Sequence, residues 1–120
     1  MTEATAKRTA GKRPARKPDP VEQILAEVKR RTSPGSGAIP LHGGADPKKG
    51  RLYHAAEMDR WFEINRTRDE AGNPGHDGRL LESVYFALSQ LDEVEARDAM
   101  IGLAAHAVKI AAVLPKGPTA

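Results

Sequence analysis

The chain has 120 residues, with 19 Lys or Arg against 16 Asp or Glu, a net charge of +3, and no cysteine. That length suits one small domain, and the missing cysteine excludes a disulfide framework and any thiolate metal site. No stretch reaches the roughly 18 apolar residues of a membrane span. The charge is unevenly placed: residues 1–50 hold eleven cations and five anions, whereas residues 51–120 hold eight and eleven. A basic front on an acidic body implies an anionic partner for the front, or contact between front and body. The basic opening lacks the apolar run of a secretory signal, so the expectation is a cytoplasmic protein without a membrane partner.

Residues 1–18, "MTEATAKRTAGKRPARKP", have no apolar periodicity. Lys7, Arg8, Lys12, Arg13, Arg16 and Lys17 repel one another, and Pro14 and Pro18 oppose a helix. Ordering such a segment has no apolar burial to offset it, so a disordered basic arm is expected. Its six cations are the candidate anion- or nucleic-acid-binding residues. Contacts to phosphates need only Lys and Arg and are nonspecific. No aromatic residue is interleaved to stack on bases, and a tail for solubility or for a protein partner fits the same composition.

Residues 19–31, "DPVEQILAEVKRR", are predicted to form a docking helix. Asp19 suits the N-cap and Pro20 the first helical position, Glu22 completes an acidic capping box, and Lys29, Arg30 and Arg31 sit at the negative end of the helix dipole. Val21, Ile24, Leu25 and Val28 form one apolar stripe. At about 12 residues the helix is marginal alone and must dock. Residues 32–50 read as a flexible linker rich in Gly, Pro and Ser, although Asp46-Pro47 repeats the Asp-Pro start signal. Its "LHGGADPKKG" lacks P-loop spacing and a preceding strand.

A helical core is expected over 51–114, followed by a tail over 115–120. The second helix follows Arg51, with Leu52, Ala55, Ala56, Trp61, Phe62 and Ile64 as its inner face, and "AGNPGHDG" ends it. The third helix is expected from about Arg79 to Leu91, with Leu81, Val84, Tyr85, Leu88 and Leu91 as its stripe. Asp92 suits the cap of a fourth helix running from Glu93 to Leu114, where Pro115 stops it. That helix is apolar around most of its circumference, a pattern of burial on several sides, and Gly102 with its alanine neighbours permits close backbone approach. With no convincing strand, the fold class is all-α: a small helical bundle with antiparallel neighbours and a disordered basic arm.

The helix pair 79–114, "LLESVYFALSQLDEVEAR" followed by "DAMIGLAAHAVKIAAVL", resembles the MazG-like branch of the all-α nucleoside triphosphate pyrophosphohydrolases, in particular small actinobacterial and phage versions. A leucine-led acidic helix, a short Asp-containing turn and an alanine-rich helix carry the resemblance, over about 35 residues. It implies an E-x-x-E pair on the first helix and an E-x-x-D-like pair on the second, which hold Mg²⁺ in oxygen ligands. In the favoured register these positions are Ser83 with Phe86, and Ala99 with Gly102, none of which supplies a carboxylate. Glu82 and Asp98 are adjacent, each rotated by about 100° from the matched position.

Two readings follow. The first is a non-catalytic helical binding or assembly module without the metal site and without a cofactor, phage- or virion-associated in its most specific version. It acts as a homo-oligomer or with a protein partner. Its partner interface is expected at Phe86, Ser83 and Gln90, which share a face turned from the third helix's apolar stripe, together with Val21, Ile24, Leu25 and Val28. The alternative is a divergent pyrophosphohydrolase with Mg²⁺ on Glu82, Asp98 and acids of the second helix such as Glu57 or Glu63. His42, His54, His76 and His106 are scattered without ligand spacing, and His106 among alanines reads as a packed histidine. Trp61-Phe62 reads as core.

The arm makes a direct prediction: the full chain binds polyanions such as duplex DNA at low salt, and binding weakens steeply as salt rises. An electrophoretic or fluorescence titration of the chain against one lacking residues 1–18 checks this, and retention of DNA binding by the shortened chain contradicts it.

Overall fold

Asp-Pro pairs open two of the four helices in this computed structural model, which describes residues 19–33, 35 and 39–117. The chain is helical, and no strand occurs among the described residues. Helix α1 spans Pro20–Arg31, α2 Pro47–Glu70, α3 His76–Leu88 and α4 Glu93–Val113. The basic arm, residues 1–18, lies outside the described residues. No described helix is long and apolar enough to cross a membrane.

Local chemistry sets the boundaries. Asp19 Oδ1 accepts from Val21 N at 2.8 Å and Asp92 Oδ1 from Val94 N at 2.7 Å, capping α1 and α4. Asp46 caps α2, whose first turn begins at Pro47 inside the stretch read as linker. The end of α2 is a Schellman turn: Gly72 takes φ +77°, its N–H reaches Asp69 O, and Asn73 N reaches Arg68 O at 2.8 Å. Glycine suits that left-handed position because it lacks a Cβ. Helix α3 stops at Leu88, three residues short of the predicted Leu91. Ser89 Oγ and Gln90 Nε2 both donate to the Phe86 carbonyl, at 2.8 and 2.9 Å, and close the last turn with side chains. Leu91 therefore leaves the α3 stripe and is 81% exposed.

Helix α3 packs against both α2 and α4, whereas the α2 and α4 backbones make no contact, and α1 packs on α4. The bundle is thus open on one side of α3. The closest packing is between small residues and a polar group. Gly78 is buried on α3. Asn65 of α2, only 7% exposed, donates through Nδ2 to Gly78 O and to Glu82 Oε1, both at 2.9 Å. Ala87 of α3 is fully buried and Ala96 of α4 nearly so. No large side chain is fully buried among the described residues.

Several expected core positions are correspondingly open. On α2, Ala55, Trp61 and Ile64 are half-buried, but Leu52, Ala56 and Phe62 are exposed. Trp61 is flanked by the guanidinium groups of Arg60 and Arg68, at 5.7 and 5.6 Å from its ring centre. Helix α4, expected to be buried on several sides, buries only Ala96. The reason is geometric: it touches α3 along one face and α1 near its C-terminus, and no other described helix covers the rest. On α1, Ile24 is half-buried while Val21, Leu25 and Val28 are exposed.

Beyond the helices, the segment before α2 is tied to the α3 C-terminus. His42 Nε2 lies 2.5 Å from Leu88 O, and the His54 ring stacks between His42 and Tyr85. Arg51 reaches Ser89 O at 3.5 Å. Two histidines that are scattered in sequence thus form one aromatic cluster at the start of α2.

The Asn65–Gly78 contact carries a prediction. A Cβ on Gly78 would collide with Asn65 Oδ1 and crowd Arg68. Asn65 cannot retreat without losing its bonds to Gly78 and Glu82. Gly78→Ala is expected to destabilise the fold by about 1–3 kcal/mol, the usual cost of overpacking. Chemical denaturation followed by circular dichroism reads this directly, and an unchanged midpoint contradicts the tight α2–α3 approach.

Candidate functional site

The open side of α3 forms a groove with α2 on one wall and α4 on the other. With Gln90 extending it from the turn after the helix, α3 supplies the floor through Arg79, Glu82, Ser83 and Phe86. Those positions recur every three or four residues, so they share one helical face. The run from Arg79 to Phe86 is about 10 Å long at 1.5 Å per residue.

One bond divides the groove. Ser83 Oγ and His106 Nδ1 share a hydrogen bond of 3.0 Å between α3 and α4, and both residues are half-buried. On one side of it lie Phe62, Asn65, Arg66, Asp69, Glu70 and Arg79. Charges there are matched: Arg66 pairs with Glu63 at 2.7 Å and with Glu70 at 2.9 Å, and Arg79 pairs with Asp69 at 2.9 Å. Hydrogen bonding to Glu63, then the charges of Glu63 and Glu70, raise the Arg66 pKa further above its ordinary value.

On the other side the groove is lined by Met58, Phe86, Asp98, Ala99, Gly102 and Leu103, with a volume of about 410 Å³. It continues past Phe86 to Gln90, Val94 and Glu95. Phe86 is 49% exposed and Val94 77% exposed. The carboxylates here are unmatched: among the described residues no ion pair involves Glu82, Asp92, Glu93, Glu95 or Asp98. The Glu82 carboxylate is held by the Asn65 amide.

The sequence-predicted residues divide accordingly. Ser83 and Phe86 line the groove from α3 and Gln90 from the turn after it, and Ser83 also bridges to His106, a partner that spacing alone does not reveal. Ser83, Phe86, Ala99 and Gly102, the four positions matched to metal-binding acids, converge on the same part of the groove, with Glu82 and Asp98 beside them. Glu57 pairs with Arg60 and Glu63 with Arg66 on the α2 surface, and neither lines the groove. Among the described residues no group of three His, Asp or Glu is arranged to hold a metal ion. Val21, Ile24, Leu25 and Val28 lie apart from the groove on α1. That helix meets the far end of α4 around Ala111, Ala112, Leu114 and Pro115. Its Glu27 carboxyl is bonded by Arg30 and Arg31, which hold its pKa below the ordinary carboxylate value. The six arm cations lie outside the described residues.

No family model, curated protein or solved structure matches this chain.

The convergence of the four positions can be tested by rebuilding them as acids. Combining Ser83→Glu, Phe86→Glu, Ala99→Glu and Gly102→Asp brings four carboxylates to one groove, enough oxygen donors for a divalent cation. The combined variant is expected to bind Mg²⁺ or Mn²⁺ in isothermal titration calorimetry, and the native chain is not. Failure of a folded variant to bind either ion contradicts the convergence.

Proposed function

We propose that this chain is a non-catalytic helical assembly module that completes its core against a second copy of itself, with its basic arm directed at an anionic surface. The observation that carries the reading is the mismatch between composition and burial. The chain is 39% hydrophobic, yet no large side chain is fully buried among the described residues, and Phe62, Phe86, Ile101, Val94 and Val113 are all at least half exposed or nearly so. Folding cannot be driven by apolar area that stays in water. A second surface laid over the groove and α4 removes that area from water in one step.

Helix α4 supports the reading independently. Gly102 sits in the middle of its 21 residues, where glycine costs roughly 0.5–1 kcal/mol relative to alanine. A Cβ built there meets nothing within 4 Å among the described residues. The glycine has no steric role among them, and close approach by another backbone supplies one.

The resemblance to MazG-like pyrophosphohydrolases fits an assembly role in which the helix pair has kept its architecture and lost its acids. Phe86 occupies a matched acid position, and an exposed ring there serves contact where a carboxylate would serve a metal. The divergent-enzyme reading would rest on Glu82 and Asp98, which line the same part of the groove. A Mg²⁺ site there would have to hold the ion with two acids, one of them already bonded to Asn65. Magnesium-dependent release of pyrophosphate, lost in Glu82→Gln, is the result that would establish that alternative.

Sedimentation velocity across the micromolar range tests the assembly reading. The native chain is expected to sediment as a dimer or larger species. Burying a phenylalanine side chain contributes roughly 1.5–3 kcal/mol, so Phe86→Ser is expected to weaken association by about tenfold to a hundredfold. A monomer at every concentration, unaffected by Phe86→Ser, contradicts the proposal.

A further inference from the structure

The groove has a length, a chemical character and a charge, and one segment of this chain matches all three. We infer that the groove of one copy receives helix α1 and the basic arm of a second copy, in a reciprocal two-fold arrangement. The inference rests on the assembly reading above and names the surfaces that meet.

Length is the first match. The groove floor runs about 10 Å along α3 and on to Gln90 in the turn beyond it, and the 12-residue α1, about 18 Å long, is long enough to span it. A single helix of that size fills the space that a fourth bundle helix would occupy between α2 and α4.

Apolar character is the second. Helix α1 rests on its own α4 through the side that carries Ile24 and Glu27, both half-buried. That leaves Val21, Leu25 and Val28 turned to solvent, at 39, 51 and 46% exposure. Their spacing puts them on one face. This outward stripe belongs to an amphipathic helix too short to be stable without burying it. It does not lie in its own groove. The α4 residues beneath α1 centre on Ala112, about 20 Å along the helix from Ala99 in the groove wall. A second copy can therefore take the stripe while α1 keeps its seat on α4, so each α1 is covered on two sides.

Charge is the third match and the one that selects the occupant. The groove mouth around Phe86 and Val94 carries Glu95 and Asp98, three residues apart on one face of α4, with Glu82 opposite. Asp92 and Glu93 precede them, and Arg97 is the single cation in that turn of chain. No ion pair among the described residues neutralises any of these five acids. The segment leading directly into α1 is residues 1–18, with six cations and one acid. An apolar helix preceded by a cationic arm is the complement of an apolar groove rimmed by carboxylates. The chain-wide imbalance between a basic first half and an acidic second half is then neutralised between copies. Because α1 donates and the groove accepts on every copy, a two-fold axis satisfies both contacts and closes the assembly at two chains.

The absence of native cysteine makes the test direct. Full-length Leu25→Cys and full-length Phe86→Cys, one of them carrying a mass tag, are mixed and oxidised. The mixed disulfide is expected as the dominant product, well ahead of the pairing of Leu25→Cys with Asp59→Cys on the exposed surface of α2. A second pair, Val21→Cys with Val94→Cys, guards against a misfolded Phe86 variant and is expected to behave the same way. Glu95→Lys with Asp98→Lys is expected to weaken dimerisation about tenfold or more at low salt. That loss should shrink near 1 M salt, where charges are screened beyond about 3 Å. Removing residues 1–18 is expected to weaken the dimer and flatten its salt dependence.

The outcomes separate cleanly. A chain that sediments as a dimer, yet links neither groove pair faster than the α2 control, overturns the α1 docking and leaves the assembly reading standing. A monomeric chain overturns both. A dimer whose strength and salt dependence survive both the charge reversals and the arm deletion also overturns the docking. It assigns the arm to another anion, duplex nucleic acid being the arm's alternative ligand.

Discussion

Two helices that touch only through a third cannot enclose a large side chain. Helix α3 holds α2 on one side and α4 on the other, and the backbones of α2 and α4 make no contact with each other. The residues that do become buried are those that let helices approach closely: Gly78, Ala87 and Ala96, with the Asn65 amide bonded into the α2–α3 seam. Everything larger stays near a surface. A polar clamp such as Asn65 fixes where α2 lies on α3, but its net contribution is of the order of one hydrogen bond, about 1 kcal/mol. It positions the helices and does not replace an apolar core. The open groove, the exposed Phe86 and the apolar circumference of α4 all follow from this one arrangement.

Within the groove, electrostatics distinguish its two parts. Near Arg66 and Arg79, every cation has an acidic partner on the same or the neighbouring helix, and that surface is saturated. Near Phe86, carboxylates accumulate without an ion-pair partner among the described residues. Asp92 caps α4 and Glu93 and Glu95 sit at the positive end of its dipole, yet the like charges still repel, and an arriving cation relieves that repulsion. A metal ion is one way to supply that charge, and a basic segment of polypeptide is another. Apolar groups beside the acids favour the second, because Phe86, Val94 and Leu103 offer nothing to a hydrated ion and much to an amphipathic helix.

Much of the architecture was legible from local signals. Asp-Pro at 19–20 and at 46–47, Asp92 ahead of α4 and the Gly-rich segment after Glu70 mark helix ends by capping chemistry, which acts over a few residues. The shared face of Ser83 and Phe86 was legible for the same reason, being a matter of helical spacing, whereas Gln90 falls in the turn after α3. Long-range partners were not. Nothing in the spacing of Ser83 and His106, 23 residues apart, announces their hydrogen bond. The stacking of His54 between His42 and Tyr85 likewise depends on how the segment before α2 folds back onto α3. Leu91 misled because an apolar residue at helical spacing looks like a continued stripe, while the polar pair Ser89 and Gln90 had already closed the helix. Leu52, Ala56 and Phe62 misled in a different way. Their apolar character at helical spacing predicts burial, but with α4 out of reach of α2 they stay exposed.

If folding and assembly are one process, stability must depend on protein concentration. A chain stabilised by a second copy gains free energy by mass action, so its thermal midpoint rises as the chain is concentrated. The most direct measurement is the unfolding midpoint by circular dichroism and calorimetry over about a hundredfold range of concentration at fixed low salt. The account predicts a midpoint that climbs steadily with concentration. A reversible transition whose midpoint is the same at every concentration would show that the single chain is stable by itself, and would contradict the claim that its core is completed by another copy.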